Sequence, residues 1–354
     1  MRARGKDEVI AIGRDLAADV ARLREALTGV HAVLHLAGVN RAETGDRLLD
    51  NILIAKQLTD SLDQVGAHPV IVYANSIQAG NASAFGESKQ AAVEHLIAWG
   101  RMAGAPIADV HLPNLFGEHG RPNYNSVVAT FSHVLAHGRK PEIVDDRLLQ
   151  LLHAQDAVDS MLDLVDRGAA GLFQPQGLPM KVSTLMDKLE GFHRLYAEGD
   201  IPDITSRFDR ALFNTYRSFC FPGHYPIYPR VRADARGELF ESVRGHGSQC
   251  HVFLSSTRPG ITRGDHFHRR KVERFVVVRG RATIALRRLF DDRIVRFKVS
   301  GDHPAIVDMP TMWTQSITNT GSDDLTTLFW ADEIFDPEHP DTYREPVELE
   351  QLTG

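Results

Sequence analysis

Apolar positions in the first half of the chain alternate between two rhythms. Short apolar runs at Val9 to Ile12, Ala32 to Leu36, Val70 to Tyr73 and Ile107 to His111 read as buried strands. Stretches of helical spacing follow them: Leu16, Val20, Leu23 and Leu27, with Gly29 as a stop, then about Leu48 to Val65, Gly86 to Ala103 and Ser126 to Ala136. Repeated strand–helix units predict an α/β region, a doubly wound parallel sheet with helices on both faces. From about Val231 the rhythm shortens. Runs at His251 to Leu254, Arg274 to Val278, Ala282 to Leu286, Ile294 to Val299, Ala305 to Asp308 and Thr326 to Trp330 predict an all-β barrel or sandwich. The expected domains are therefore residues 1–230 and 231–354. Tyr196 to Arg230 contains Pro202, Pro222, Pro226 and Pro229 among many aromatics, and is expected to pack rather than act as a free linker.

Composition narrows the function classes. The 354 residues suit about two domains. Lys+Arg 40 against Asp+Glu 46 gives a net charge of −6, which removes the electrostatic reason to expect nucleic acid or an anionic membrane as partner. Two cysteines, Cys220 and Cys250, cannot build a disulfide framework and suit a reducing compartment. No apolar run approaches the roughly 18 residues of a membrane helix. A soluble, cytoplasmic protein is expected.

The second half carries a metal-type pattern, G-x5-H-x-H-x4-E-x6-G, formed by Gly260, His266, His268, Glu273 and Gly280. Residues two apart on a strand face the same side, so the two imidazoles point together, and Glu273 can return to that face across the turn. Two imidazoles and a carboxylate suit zinc or another divalent metal. The pattern resembles the first cupin motif. A second motif, G…P-x-G-x2-H-x3-N, is matched by Gly301, Pro310 and Asn319, but Met312 stands at its Gly and Gln315 at its His. A Gln oxygen can ligate a metal less strongly than imidazole. The alternative is a barrel that kept its fold and lost tight metal binding. Tyr343, His251 and Asp302 are candidate bases.

In the first half, His35-Leu36-Ala37-Gly38 follows a buried strand, the place where a doubly wound fold holds its nucleotide. Arg14, just beyond Val9 to Ile12, suits a 2′-phosphate and hence NADPH; it suits a solvated strand end equally well. Ser76 follows a strand, and Phe85-Gly86-Glu87-Ser88-Lys89 opens a helix. Short-chain dehydrogenases carry Tyr-x3-Lys there, the Lys lowering the phenol pKa so that it protonates the alkoxide. Here Phe85 stands at the Tyr position and has no proton to give. No G-x-G-x2-G spacing precedes these residues, so the Rossmann-like sheet is expected to lack its first strand and Gly-rich loop.

A short-chain dehydrogenase half followed by a cupin half resembles the bifunctional capsular-polysaccharide enzymes of the CapF/WbjC type. The resemblance rests on His35 to Arg41 (HLAGVNR), Ser76 to Ala79, Gly86 to Lys89, Pro113 to Gly117 and Pro122 to Ser126. It continues at Gly260 to His268, Phe335 to Pro337 and Pro340 to Tyr343, so that it covers nearly the whole chain. It implies a homodimer acting on a UDP-linked 4-keto-6-deoxy amino sugar. A metal-bearing cupin domain would epimerise carbon 3, and an NADPH-dependent domain would reduce the 4-keto group toward UDP-N-acetyl-L-fucosamine. His266, His268, Glu273 and Gln315 would hold the metal. Ser76 and Lys89, with Phe85 at the place of the lost Tyr, would be the reductase residues. Arg14, the His35–Gly38 segment and Lys89 would contact the cofactor, and Asn114 the substrate. Removing the ketone ends the acidity of the neighbouring proton, so epimerisation precedes reduction. The alternative is a non-catalytic sugar-nucleotide-binding or dimerisation protein derived from such enzymes.

Overall fold

The computed structural model describes residues 8–39, 50–247 and 249–349. In chain order the elements are α1 (Arg14–Ala18), α2 (Val20–Leu27), β1 (Ala32–His35), α3 (Asp50–Val65), β2 (Val70–Ser76), α4 (Ala84–Ala103), β3 (Ile107–Leu112) and β4 (Asn114–Phe116). There follow α5 (Val127–Ala136), β5 (Leu148–His153), α6 (Ala154–Asp166), β6 (Gly171–Phe173), β7 (Leu178–Lys181), α7 (Val182–Ala197) and α8 (Arg207–Cys220). The remainder is all β: β8 (Arg232–Asp234), β9 (Gly237–Leu239), β10 (His251–Thr257), β11 (Thr262–Phe267), β12 (Glu273–Arg279), β13 (Arg281–Arg288), β14 (Ile294–Ser300), β15 (Ile306–Met309), β16 (Trp313–Asn319), β17 (Leu325–Ala331) and β18 (Tyr343–Arg344). They build two compact units, Met1–Leu115 with Leu149–Pro179, and Phe116–Leu148 with Met180–Gly354.

The first unit is a parallel sheet of order β1-β2-β3-β6. Along β2 the side chains alternate. Ile71 and Tyr73 enter a core with Leu23, Leu62, Leu96 and Trp99 from α2, α3 and α4, while Val72 joins Ala108, Val110, Met161 and Leu164 on the other face under α6. This is the doubly wound arrangement the rhythm predicts. One predicted strand does not form. Residues 8–13 have no regular structure, with Val9, Ile10 and Ile12 exposed, and β1 pairs with β2 alone. A strand needs a ladder partner, and none among the described residues offers itself. The predicted first helix is also split, because Asp19 leaves α1 and caps α2, accepting from the N–H groups of Ala21 and Arg22.

In the second unit two antiparallel sheets, β10-β17-β12-β15 and β14-β13-β16-β11-β18, form the barrel. Each predicted run appears, most of them lengthened, while Ala305 to Asp308 is shifted by one residue to Ile306–Met309. Helices α5, α7 and α8 belong to this unit too. Tyr196 on α7, Arg274 on β12 and Asp308 on β15 meet in a fully buried network. The Arg274 guanidinium donates to both Asp308 oxygens at 2.6 and 2.9 Å and to the carbonyls of Gly199 and Ser242 at 2.8 and 3.1 Å. Tyr225 adds a phenol bonded to that of Tyr196, so the aromatic segment after Tyr196 does pack.

Candidate functional site

The barrel brings its three predicted metal ligands together. His266 lies on β11 opposite Gln315 of β16, and Glu273 opens β12. One ligand atom from each of His266, His268 and Glu273 lies within 4.8 Å of the others, and the latter two residues are buried. The turn that allows this needs Gly264, at φ +116 beside a bulge, where an added Cβ would lie 2.5 Å from the Gln315 carbonyl oxygen. The His268 Nδ1–H donates to the Asp341 carbonyl, which turns Nε2 toward Glu273, 3.4 Å from its Oε2. The Gln315 Nε2 lies 3.1 Å from His266 Nε2, and its buried Oε1 has no hydrogen-bond partner. Turning that amide over exchanges the orphaned acceptor into the cluster. The donor set therefore fits a divalent metal, which His266, His268 and Glu273, with Gln315 beside them, would hold.

Electrostatics agree with that use. Burial, helped by neighbouring His268, lowers the His266 pKa, keeping the ring neutral. Burial would raise the Glu273 carboxyl, but the hydrogen bond with His268, helped by nearby Lys271, brings it below its ordinary value. Asp341 does a second job. Its carboxylate accepts from the backbone N–H groups of Arg269, Arg270 and Lys271 at 3.1, 2.9 and 2.8 Å, so one residue shapes the loop between the two His and the Glu. Asp341 lies within the Pro340–Tyr343 segment, in a loop more than 60 residues downstream of its partners, so no local sequence signal marks this role. Tyr343 stacks on Phe267 next to the cluster, whereas exposed Asp302 follows the end of β14, away from it.

The first unit assembles a second group. Ser83 caps α4 by accepting from Gly86 N–H at 3.1 Å. Gly86 lets the Ser76–Asn81 loop close onto the helix, since an added Cβ would meet Gln78 O at 2.4 Å. Lys89, one turn after Phe85, is buried, donates to Ala74 O at 2.7 Å and lies over the Tyr73 ring at 4.2 Å. An added Cβ on Gly38 would lie 3.7 Å from its Nζ, so the predicted nucleotide segment does reach Lys89. His35 stacks on Tyr73 at 5.2 Å, while Leu36 and Ala37 are exposed. Asn51, which carries no sequence signature, holds the segment by pairing with Val39 N–H and C=O at 2.8 and 3.1 Å and donating to Ser88 at 2.9 Å. Asn40 and Arg41, the end of that motif, lie outside the described residues.

Other predicted residues stand apart. Ser76 is half-buried, its Oγ accepting from Gln78 N–H at 3.2 Å. Arg14 is exposed at the start of α1, not at a strand end. Asn114 accepts from Gln150 N–H at 3.4 Å, and Gln150 lines a cavity of about 200 Å³ with Ile77, Pro113 and Gln174. For NADPH chemistry the fit is incomplete. Lys89 and Ser76 are placed on adjoining elements, but Phe85 offers no proton, and the Tyr73 hydroxyl is buried without a partner and raised in pKa by burial and by Asp109. Burial, opposed by Asp109, brings Lys89 down to about 8, and burial with Lys89 brings His35 down to about 4. A carbon-13 titration of the Lys89 side chain is expected to show a midpoint near pH 8; a midpoint at the ordinary value of about 10.4 would contradict this environment.

Residues 4–173 match the NAD dependent epimerase/dehydratase family, and residues 232–343 match the polysaccharide biosynthesis C-terminal domain. A UDP-2-acetamido-2,6-beta-L-arabino-hexul-4-ose reductase of Pseudomonas aeruginosa is 32% identical over 345 residues, 96% of this chain and 92% of that protein. The chain belongs to the CapF-type family of capsular polysaccharide enzymes. The crystal structure of the capsular polysaccharide assembling protein CapF from Staphylococcus aureus has 31% identity and a TM-score of 0.58, covering 92% of this chain and 90% of that one. CapF with the inhibitor 3-isopropenyl-tropolone has 29% identity and a TM-score of 0.52, covering 92% of this chain and 89% of that one. The epimerase-plus-cupin order expected from the motifs is thus the order of the CapF-type fold. Among the described residues, no helix is long and apolar enough to cross a membrane.

Proposed function

We propose that the chain acts on a UDP-linked 4-keto-6-deoxy amino sugar, with its functional division near residue 230. The barrel half epimerises carbon 3, and the first half descends from the NADPH-dependent 4-keto reductase. The observation carrying this reading is the largely buried His266–His268–Glu273 cluster, in a chain whose Pseudomonas relative is a reductase of a UDP-linked 4-ulose. A divalent metal held by His266, His268 and Glu273 would supply the positive charge that makes a C–H next to a ketone more acidic. Asp341 orients His268, and Glu273 balances the charge of the site. With the full chain and the 4-keto sugar nucleotide in deuterated water, deuterium is expected at carbon 3 and is expected to disappear in His266→Ala. Absence of exchange in the unaltered chain would refute the epimerase assignment.

Zinc is the metal proposed, held weakly because Gln315 replaces an imidazole. After dialysis the chain is expected to keep less than one zinc per chain, rising toward one in Gln315→His, as read by elemental analysis. Full, tightly held zinc in the unaltered chain would show the amide to be an adequate ligand. For the first half, Phe85 and the engagement of Lys89 with Ala74 O favour a second reading: sugar-nucleotide binding without reduction. The homodimer reading is supported by β10, an edge strand whose Val252, Phe253 and Leu254 are all exposed. The protein is proposed to work in the cytoplasm.

A further inference from the structure

We infer that a cavity at the far end of the β13–β14 hairpin binds a nucleoside diphosphate. The cavity, about 660 Å³, is lined by Tyr228, Arg281, Thr283, Lys298, Ser300 and His303 among others. That volume falls within the roughly 300–1,000 Å³ of small-ligand sites. The β13–β14 register pairs Arg281 with Ser300 and Thr283 with Lys298, so these four share one face of the hairpin. His303 is held beside them by a bridge to Ser300.

Three features make this more than a solvated surface. First, Arg281, Lys298 and His303 make no ion pair with any described residue, and no carboxylate lines the cavity, in a chain of net charge −6. Two cations beside an imidazole, converging without a counter-charge, suit a polyanion, and a guanidinium suits phosphate in particular. Second, Tyr228 is 70% exposed, yet its backbone is fixed: Ile227 exchanges two hydrogen bonds with Ile306, of 2.9 and 2.8 Å. An exposed aromatic ring on an anchored backbone beside a phosphate-type cluster is a stacking platform for a base. Third, the backbone flanking the cavity is held by close approach. Gly301 N–H donates to Gly280 O at 3.0 Å and Thr320 N–H to Arg281 O at 3.0 Å, while a Cβ on Gly301 would lie 2.4 Å from Val278 O.

The cavity is separate from the metal cluster. Gln315 pairs with Leu286, whereas the cavity lies at the Ala282–Asn319 end of the same ladder, about 13 Å away at roughly 3.3 Å per residue. The inference uses none of the metal ligands and stands apart from the proposed epimerisation.

The test titrates the full chain with UDP, pyrophosphate and uridine while following the imidazole C2 proton of His303 by NMR, assigned with His303→Gln. UDP is expected to move this resonance and to bind at least about tenfold more tightly than either fragment. The exposed pair Arg281→Gln/Lys298→Gln should weaken UDP by at least about tenfold, Tyr228→Ala should remove its margin over pyrophosphate, and His266→Ala should leave the His303 response intact. A His303 resonance that UDP leaves unmoved in the unaltered chain would overturn the inference whatever the variants do. So would undiminished binding to the double variant, a margin that survives in Tyr228→Ala, or a response lost in His266→Ala.

Discussion

Phe85→Tyr is expected to raise NADPH consumption with the 4-keto sugar nucleotide by about 10²–10⁴-fold, the usual contribution of a positioned general acid. The unaltered chain should consume little. The argument is geometric. Phe85 and Lys89 lie one turn apart on α4, so a hydroxyl at position 85 would share a helix face with the Lys89 amine. That amine, brought down to about 8 by burial, lies close enough to neutrality to accept or release a proton at working pH. Single-turnover absorbance at the NADPH band provides the measurement. Rapid oxidation by the unaltered chain would mean that another group supplies the proton, and an unchanged rate in the variant would mean that the missing hydroxyl is not what limits reduction.

The second large effect is on stability. Asp308→Ala should destabilise the barrel unit by about 3–5 kcal/mol, because it strands the buried Arg274 guanidinium without its counter-charge. The double variant Arg274→Met/Asp308→Leu should recover much of that loss, since well-packed apolar residues avoid the desolvation of both ions. Burial acts to raise the Asp308 carboxyl, but Arg274 and Arg217 outweigh it and hold the group below the ordinary carboxylate range. A folded pKa below the unfolded one means stability that is full above the unfolded value of about 3.9 and lost as pH falls through the lower folded value. Urea unfolding followed by Trp313 and Trp330 fluorescence should therefore show a gap between the two chains that is constant from neutral pH to about 5 and closes only in stronger acid. An equal gap at all pH values would contradict the assignment.

Legibility followed the range of the interactions. Strand and helix periodicity is local, so the parallel sheet, most of the barrel runs and the His266–His268–Glu273 cluster were readable from spacing. Val9 to Ile12 has the composition of a strand, but a strand exists only with a partner, and composition says nothing about partners. Trp313–Asn319 escaped because Thr314, Gln315, Ser316 and Asn319 are buried polar residues on a barrel strand, where alternation gives no clear signal. Asn51 and Asp341 were invisible for a related reason: each acts on backbone groups far from it in sequence. Lys89 was found, yet its engagement with Ala74 O and the Tyr73 ring was not, since that depends on how α4 lies on β2.

Asp341 has a consequence for the order of events during synthesis. The ribosome releases His266, His268 and Glu273 well before the residue whose carbonyl fixes the His268 ring and whose carboxylate gathers residues 269–271. A nascent chain therefore carries all three ligands while their geometry is still undefined. Completion of the cluster's geometry becomes a late step, timed by the arrival of a loop that contributes none of its three side chains.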